Sequence, residues 1–321
     1  MSKESEIIKN FFLPLASNKE SMGLLNDGAL IQFAKNEKVV ISSDMMIENQ
    51  HFDKNFDPKL LAKKLLRVNL SDIAAMGAKP YGYLLNLAIP KKKHLTWLSL
   101  FVQGLKEDQK KFGLKLFGGD LSNSSVIFLS ATILGKVKKN ILMNKYAKAG
   151  SDIFVSGYLG DSAITFDLIK RKKIKNIDAK FKKYLIKRHF LPEPKIKLGM
   201  SIINIAEACT DISDGLIGDI KKISQQSNLC ANIFCEKIPL SPPVKNILSL
   251  SKNKKKIWES ILIGGEDYEL VFSVAKTKIK KLSNLKEKIQ KIGFFSKGNG
   301  IKVFDSKGKI LELNKESFSH F

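Results

Sequence analysis

Residues 58–90 read PKLLAKKLLRVNLSDIAAMGAKPYGYLLNLAIP, and this stretch decides the fold class. Pro58 suits the first turn of a helix, and Leu61, Leu65 and Val68 follow at i+4 and i+3 steps, the spacing of one helical face. Asp72 continues the same stripe four residues on, where an apolar residue is expected. Tyr81–Ile89 reads as a strand closed by Pro90. Beyond it come an amphipathic helix at Thr96–Phe112, a strand at Leu114–Phe117 ending in Gly118-Gly119-Asp120, and a strand at Val126–Val137. Strands alternating with helices in this way predict an α/β (α+β) domain.

Working outward, the spacing predicts a helix over Glu4–Leu15, a turn at Gly23–Gly28 and a short strand at Val39–Ser43 running into a polar loop. A hinge falls near Lys136–Gly150 and separates two domains, 1–140 and 148–321. The second half opens with a strand at Asp152–Ser156, a glycine turn at Gly157–Gly160 and a helix from Asp161. A basic helical region follows, then a helix over Lys195–Ala208, a turn at Thr210–Gly215 and a helix at Leu216–Gln226. Ala231–Phe234, Ile261–Ile263 and Tyr268–Val274 are strand candidates, the last two joined through Gly264-Gly265.

A chain of 321 residues with 44% apolar and 27% charged residues has ample capacity for a core, which excludes disorder and disulfide-stapled miniproteins. The longest apolar runs fall short of the ~18 residues a membrane helix needs, and the N-terminus has no signal-peptide core. Three cysteines are too few and too odd for a disulfide framework, so a cytoplasmic location is expected. The formal charge is +24, yet only three of the 55 basic residues are arginines: Arg67, Arg171 and Arg188. Nucleic-acid recognition favours arginine forks, and the lysine runs here lack interleaved aromatics, so a solvated surface is expected and no nucleic-acid partner.

In so basic a chain, acidic residues that interrupt apolar segments carry the information. Asp27 precedes Gly28, Asp44 ends the run VVISS, Asp72 sits on the helix stripe and Asp120 follows two glycines. Asp211 and Asp214 bracket Ser213 at a helix start. Singly, each reads as a cap or a turn residue. Brought into one cleft they would repel, and cations would have to neutralise them. The available donors, Asp27, Ser42, Ser43, Asp44, Asp72, Asp120, Asp211 and Asp214, are hard oxygens that favour Mg²⁺ over zinc. Bound Mg²⁺ most often serves phosphates, although the P-loop, the dinucleotide fingerprint and the protein-kinase catalytic loop are all absent.

Together the segments NDGAL (26–30), ISSDMMIENQHF (41–52), NLSDIAAMGAKP (69–80), GGDLS (118–122), VSGYLGDSA (155–163), DISDGL (211–216) and GGEDYEL (264–270) resemble thiamine-monophosphate kinase across nearly the whole chain. DISDG and the acidic helix are shared more widely with the aminoimidazole ribonucleotide synthetase and selenophosphate synthetase superfamily. The resemblance implies ATP-dependent phosphorylation of thiamine monophosphate to thiamine diphosphate on a two-domain aminoimidazole ribonucleotide synthetase-like fold. It also implies an N-terminal mixed sheet that pairs across a homodimer, and several Mg²⁺ ions. By the same resemblance the metal ligands fall on Asp27, Ser42, Ser43, Asp44, Asp72, Asp120, Asp211 and Asp214. ATP contacts fall on Gly119, Asp120 and Ser213, and substrate contacts on His51, Glu266 and Phe318. Three positions depart from the family: Asn26 replaces the first of paired aspartates, Asn144 stands where an ATP-contacting arginine is expected, and Phe318 replaces Tyr or Trp. Lys145, beside Asn144, is the candidate replacement charge. The rival readings are another ATP-dependent enzyme of the superfamily, a basic nucleic-acid-binding protein, and an inactive ATP-binding relative. Selenophosphate synthesis is disfavoured because the first cysteine is Cys209, too late for an N-terminal reactive thiol.

Overall fold

The computed structural model describes residues 3–91, 95–174 and 177–313. The chain divides into two compact units, Met1–Ile73 with Ala78–Lys139, and Ala74–Gly77 with Asn140–Phe321.

The first unit opens with α1 (Lys3–Ile7), a π-helical turn (Ile8–Phe12) and a 3₁₀ turn (Leu13–Ala16), in place of the single expected helix. Pro14 has no N–H to continue an α-helical ladder, and the chain tightens there. Its sheet contains β1 (Lys38–Ile47), β2 (Lys79–Ile89), β3 (Leu116–Asn123) and β4 (Phe128–Val137) in the order β1-β4-β2-β3. Only β2 and β3 run parallel. β1 extends past Ser43, so Asp44 lies inside the strand. β3 contains the Gly118-Gly119-Asp120 segment expected to follow it. Gly119 explains the second difference: a Cβ there would lie 1.7 Å from the Leu85 carbonyl oxygen, so only glycine lets β3 approach β2.

α2 (Pro58–Ala75) and α3 (Leu95–Phe112) belong to this unit except for the last two residues of α2. Leu61, Leu65, Leu66, Leu70 and Ile73 of α2 are at most 1% exposed. Beneath the helices lie Val40 and Met46 of β1, Leu85 and Leu87 of β2, and Leu129, Ala131 and Ile133 of β4, all buried. Strand alternation sends Ile41, Met45 and Leu84 to the opposite face, where they are 63%, 53% and 40% exposed.

The second unit has a six-stranded sheet of β5 (Asp152–Ser156), β6 (Ala208–Asp211), β7 (Leu229–Phe234), β8 (Leu270–Val274), β9 (Ile289–Lys297) and β10 (Gly300–Phe304). Their order is β10-β7-β9-β5-β8-β6, antiparallel except for β10 with β7. β5 and β8 are buried along their whole length, as the unbroken runs DIFVS and LVFSV require when both faces are covered. Ile153 and Val155 enter one core cluster, and Phe154 with Phe272 enters the other. The helices are α4 (Asp161–Lys170), α5 (Ala179–Phe190), α6 (Ile196–Ile202), α7 (Leu216–Ser227), α8 (Pro242–Leu250) and α9 (Lys254–Ile263).

Two expectations are corrected here. Ile261–Ile263 is the last turn of α9, because the KKKIWES segment before it supplies the helix that a three-residue apolar run cannot reveal. The helix expected over Lys195–Ala208 stops at Ile202, and Ala208 instead opens β6, paired with Ser273 of β8.

Candidate active site

In the first unit the predicted cation ligands separate by the parity of β1. Ser42 and Asp44 point to the helix-covered face, where α2 meets them with two polar side chains. Ser42 donates to Asp72 Oδ2 at 2.5 Å, and the Asp44 amide donates to Asn69 Oδ1 at 3.0 Å. Asn69 and Asp72 are one helical turn apart, so the interruption of the apolar stripe is a polar seam against β1. Ser43 faces the other way, its hydroxyl 3.0 Å from that of Thr132.

The registers place Asp44, Ala131, Leu85 and Gly119 in one row across the sheet, and Met45, Ser130, Asn86 and Asp120 in the next. Asp120 is therefore on the open side with Asn86. A cavity of about 540 Å³ is lined there by Asn26, Asp27, Gly119 and Asp120, together with Leu84 and Phe12. The structure thus gathers Asp27, Gly119 and Asp120 in one place and Ser42, Asp44 and Asp72 in another, with Ser43 apart from its neighbours. Among the described residues no three His, Cys, Asp or Glu side chains form a ready-made metal cluster. Each group does offer carboxylate oxygens, and one adds a hydroxyl, a donor chemistry that fits Mg²⁺. His51 follows β1, and its Nδ1 accepts the Ile47 amide at 3.1 Å, which puts the ring proton on Nε2.

In the second unit three distant motifs meet. Backbone bonds join GGEDYEL to DISDGL: Glu266 N–H donates to Ser213 O at 2.9 Å, Tyr268 N–H to Ile212 O at 2.9 Å, and Ile212 N–H to Glu269 O at 2.8 Å. Glu266 and Tyr268 are held at positive φ, +58° and +52°, so the turn keeps a sparsely populated backbone. VSGYLGDSA joins through the buried Glu269, which accepts from Ser156 Oγ at 2.5 Å. Gly157 leaves room for that carboxylate, since a Cβ there would come within 2.2 Å of Oε1.

Arg188 of α5 bridges Glu269 at 3.0 Å and Asp161 at 3.2 Å, and Lys195 reaches Glu269 at 3.1 Å. Tyr184 and Ser241 also donate to Asp161. Asp267 receives the Gly160 amide on both oxygens, at 2.9 and 3.1 Å. Burial drives the Asp267 carboxyl up to about 8, against the opposing pull of the Gly160 amide and Arg188. Two cations thus face three buried carboxylates, and burial pushes the carboxyls of both Asp161 and Asp267 above their usual range.

The DISDG turn has an organiser that sequence reading passed over. Asp219, fully buried in the first turn of α7, accepts the amides of Ser213 and Asp214 at 2.9 and 3.0 Å. Lys222 reaches Asp219 at 2.7 Å and Asp214 at 2.9 Å. Burial raises the Asp219 carboxyl, with Lys222 pulling the other way. The signal was available: Asp219 breaks the stripe of Leu216, Ile220 and Ile223 just as Asp72 breaks its own. Asp211, 6% exposed, ends β6, which is tied through Cys209 N–H to Met143 O at 2.8 Å, beside Asn144 and Lys145. The Lys145 ammonium stands 5.0 Å from the centroid of the exposed Tyr146 ring. Phe318 lies outside the described residues.

Residues 25–137 match the family model for AIR synthase related protein, N-terminal domain. A thiamine-monophosphate kinase of Buchnera aphidicola subsp. Schizaphis graminum is 39% identical over 327 residues, spanning 99% of this chain and 98% of its own. The chain belongs to the thiamine-monophosphate kinase family. Among solved structures, the crystal structure of the Stenotrophomonas maltophilia K279a thiamine-monophosphate kinase matches with a TM-score of 0.83 at 29% identity, covering 92% of this chain and 95% of that one. A structure of AaThiL complexed with AMPPCP and TMP matches with a TM-score of 0.80 at 28% identity, covering 100% and 99%. Family membership accounts for the motifs that composition alone left unexplained. None of the described helices is long and apolar enough to cross a membrane.

Proposed function

We propose that this chain transfers the γ-phosphoryl group of ATP to the phosphate of thiamine monophosphate, giving thiamine diphosphate and ADP. The observation that carries the proposal is the 39% identity to a thiamine-monophosphate kinase through 99% of the chain. The acceptor oxygen is already ionised near neutral pH, so the reaction needs alignment and charge neutralisation more than a side-chain base. Two unit charges ~4 Å apart repel by about 4 kcal/mol at an effective dielectric of ~20.

Several Mg²⁺ ions, when bound, would supply that neutralisation, held by oxygens of Asp27, Ser42, Ser43, Asp44, Asp72, Asp120, Asp211 and Asp214. The chain's own part is to keep those oxygens in register. Ser42 fixes Asp72, and Asp219 gathers the amides of Ser213 and Asp214. Gly119, Asp120 and Ser213 contact ATP in this reading, with Lys145 giving a point charge beside Asn144, where an arginine fork is absent. His51, Glu266 and Phe318 contact the acceptor, Glu266 through the pyrimidine end.

The enzyme works as a homodimer in this reading, supported by the apolar open face of the first sheet with Ile41, Met45 and Leu84 exposed. Its cytoplasmic placement is supported by three buried, unpaired cysteines. The test incubates the purified chain with ATP, Mg²⁺ and either thiamine monophosphate or free thiamine. Thiamine diphosphate formed only from the monophosphate supports the reading. No product from either acceptor, or equal use of free thiamine, overturns it.

A further inference from the structure

Glu266 is half-exposed, its side chain 39% accessible, and it is backed by two buried polar groups that no step above uses. Ser162, the second residue of α4, is 2% exposed, and His189, near the end of α5, is 6% exposed. Ser162 Oγ lies 2.7 Å from His189 Nδ1, and Glu266 Oε2 lies 3.5 Å from the hydroxyl and 3.4 Å from the same ring nitrogen. The imidazole stands edge-on to Phe190, with ring centroids 4.7 Å apart, and tilted to Phe166 at 6.3 Å.

Proton accounting selects one arrangement. An ionised Glu266 carboxylate only accepts, so a neighbour must present a hydrogen to it. If Nδ1 were bare, it would take the hydroxyl hydrogen for itself, leaving two lone-pair faces against the carboxylate. With the hydrogen on Nδ1, the ring donates toward Ser162 Oγ, and the hydroxyl is released to donate to Glu266 Oε2. The aromatic walls hold the ring in the plane that permits this, and the positive φ of Glu266 fixes the root of its side chain. Two helices far from Glu266 in sequence, α4 and α5, thus converge on one oxygen of its half-exposed carboxylate.

We propose that His189 and Ser162 are positioning residues that aim the Glu266 carboxylate at the amine-bearing ring of the acceptor substrate. The proposal rests on the kinase reading above and deepens it. Holding one carboxylate oxygen in place before binding reduces the ordering needed when the substrate's ring donor arrives, so the effect appears in acceptor affinity.

The experiment measures steady-state kinetics of the full chain at saturating Mg²⁺, varying ATP and thiamine monophosphate separately, with titration calorimetry of thiamine monophosphate as a readout free of turnover. His189→Leu and Ser162→Ala are expected to raise KM and Kd for thiamine monophosphate about ten-fold, and to move KM for ATP and kcat by less than about two-fold. His189→Asn, which returns an N–H near the place of Nδ1, is expected to recover all but about three-fold of the loss. Adding His189→Leu to Glu266→Gln is expected to have little further effect, since the two act through one group.

An unchanged acceptor KM, equal changes in both KM values, no rescue by asparagine, or an effect fully additive with Glu266→Gln would overturn the proposal. Thermal melts separate these outcomes from misfolding, because a merely structural His189 would lower the melting temperature without splitting the two KM values. A wild-type chain that neither binds nor phosphorylates thiamine monophosphate would overturn the kinase reading and this proposal with it. An active wild type with indifferent variants overturns this proposal alone.

Discussion

Asp72 and Asp219 show how much one carboxylate can reveal when its neighbours are apolar. Asp72 announced itself by breaking a helical stripe, and the structure gives it a hydroxyl partner in Ser42. Asp72→Asn keeps the size and an acceptor for Ser42 but removes the charge. It is expected to lower kcat by about 100-fold or more while shifting the urea midpoint little, measured by coupled assay and by denaturation on the same preparation. Full activity at limiting Mg²⁺ would remove Asp72 from the ligand set. Asp267 sends a different signal, in pH. Its carboxyl is raised from near 4 to about 8, so the folded state keeps a proton that the unfolded chain has lost. That contribution to stability is whole below about pH 4 and is lost as pH rises toward 8. Asp267→Asn mimics the protonated form, so its urea midpoint is expected to fall less steeply across this window than that of the wild type. Parallel curves would show that Asp267 is ionised in the fold.

At the scale of elements, the sequence announced the long buried pieces and blurred their ends. α2 was legible because 18 residues repeat one apolar period, and β5 because its apolar run is bounded by a turn. β3 was cut short because two glycines resemble a strand end, whereas the Leu85 carbonyl shows that they let two parallel strands close up. α9 hides behind a three-residue apolar run, and the N-terminal segment reads as one helix because periodicity does not register a change of helical pitch. The acidic residues that break apolar patterns are legible in the sequence, whereas their grouping in space is not. Parity separates Ser43 from Ser42, and the knot of Arg188, Asp161, Asp267 and Glu269 spans more than 100 residues, beyond any local window. Gly119→Ala is expected to destabilise the fold by about 3 kcal/mol, read from urea unfolding, since β2 and β3 must part to admit a methyl group. Asp219→Ala strands the buried-side amides of Ser213 and Asp214, while Lys222 keeps Asp214, and is expected to destabilise by a similar amount, about 3 kcal/mol. An unchanged urea midpoint would show that the DISDG turn is held by its own backbone.

For the molecule as a whole, the charge of +24 and the open sheet face make opposite demands. Net charge favours separated, soluble chains, whereas exposed Ile41, Met45 and Leu84 favour a covering partner. A second copy is the economical cover, and light scattering coupled to size exclusion is expected to give twice the 36.0 kDa chain mass. Ile41→Glu with Met45→Lys should return it to a single chain mass at micromolar concentration. An unaltered mass would place the dimer contact elsewhere.

β1 carries one further consequence. Met45 is bonded directly to Asp44, yet their side chains leave the strand on opposite sides. Adjacent residues of one strand thus serve two surfaces, an apolar side chain outward and a carboxylate toward α2, so a one-residue slip of β1 against β4 would exchange them.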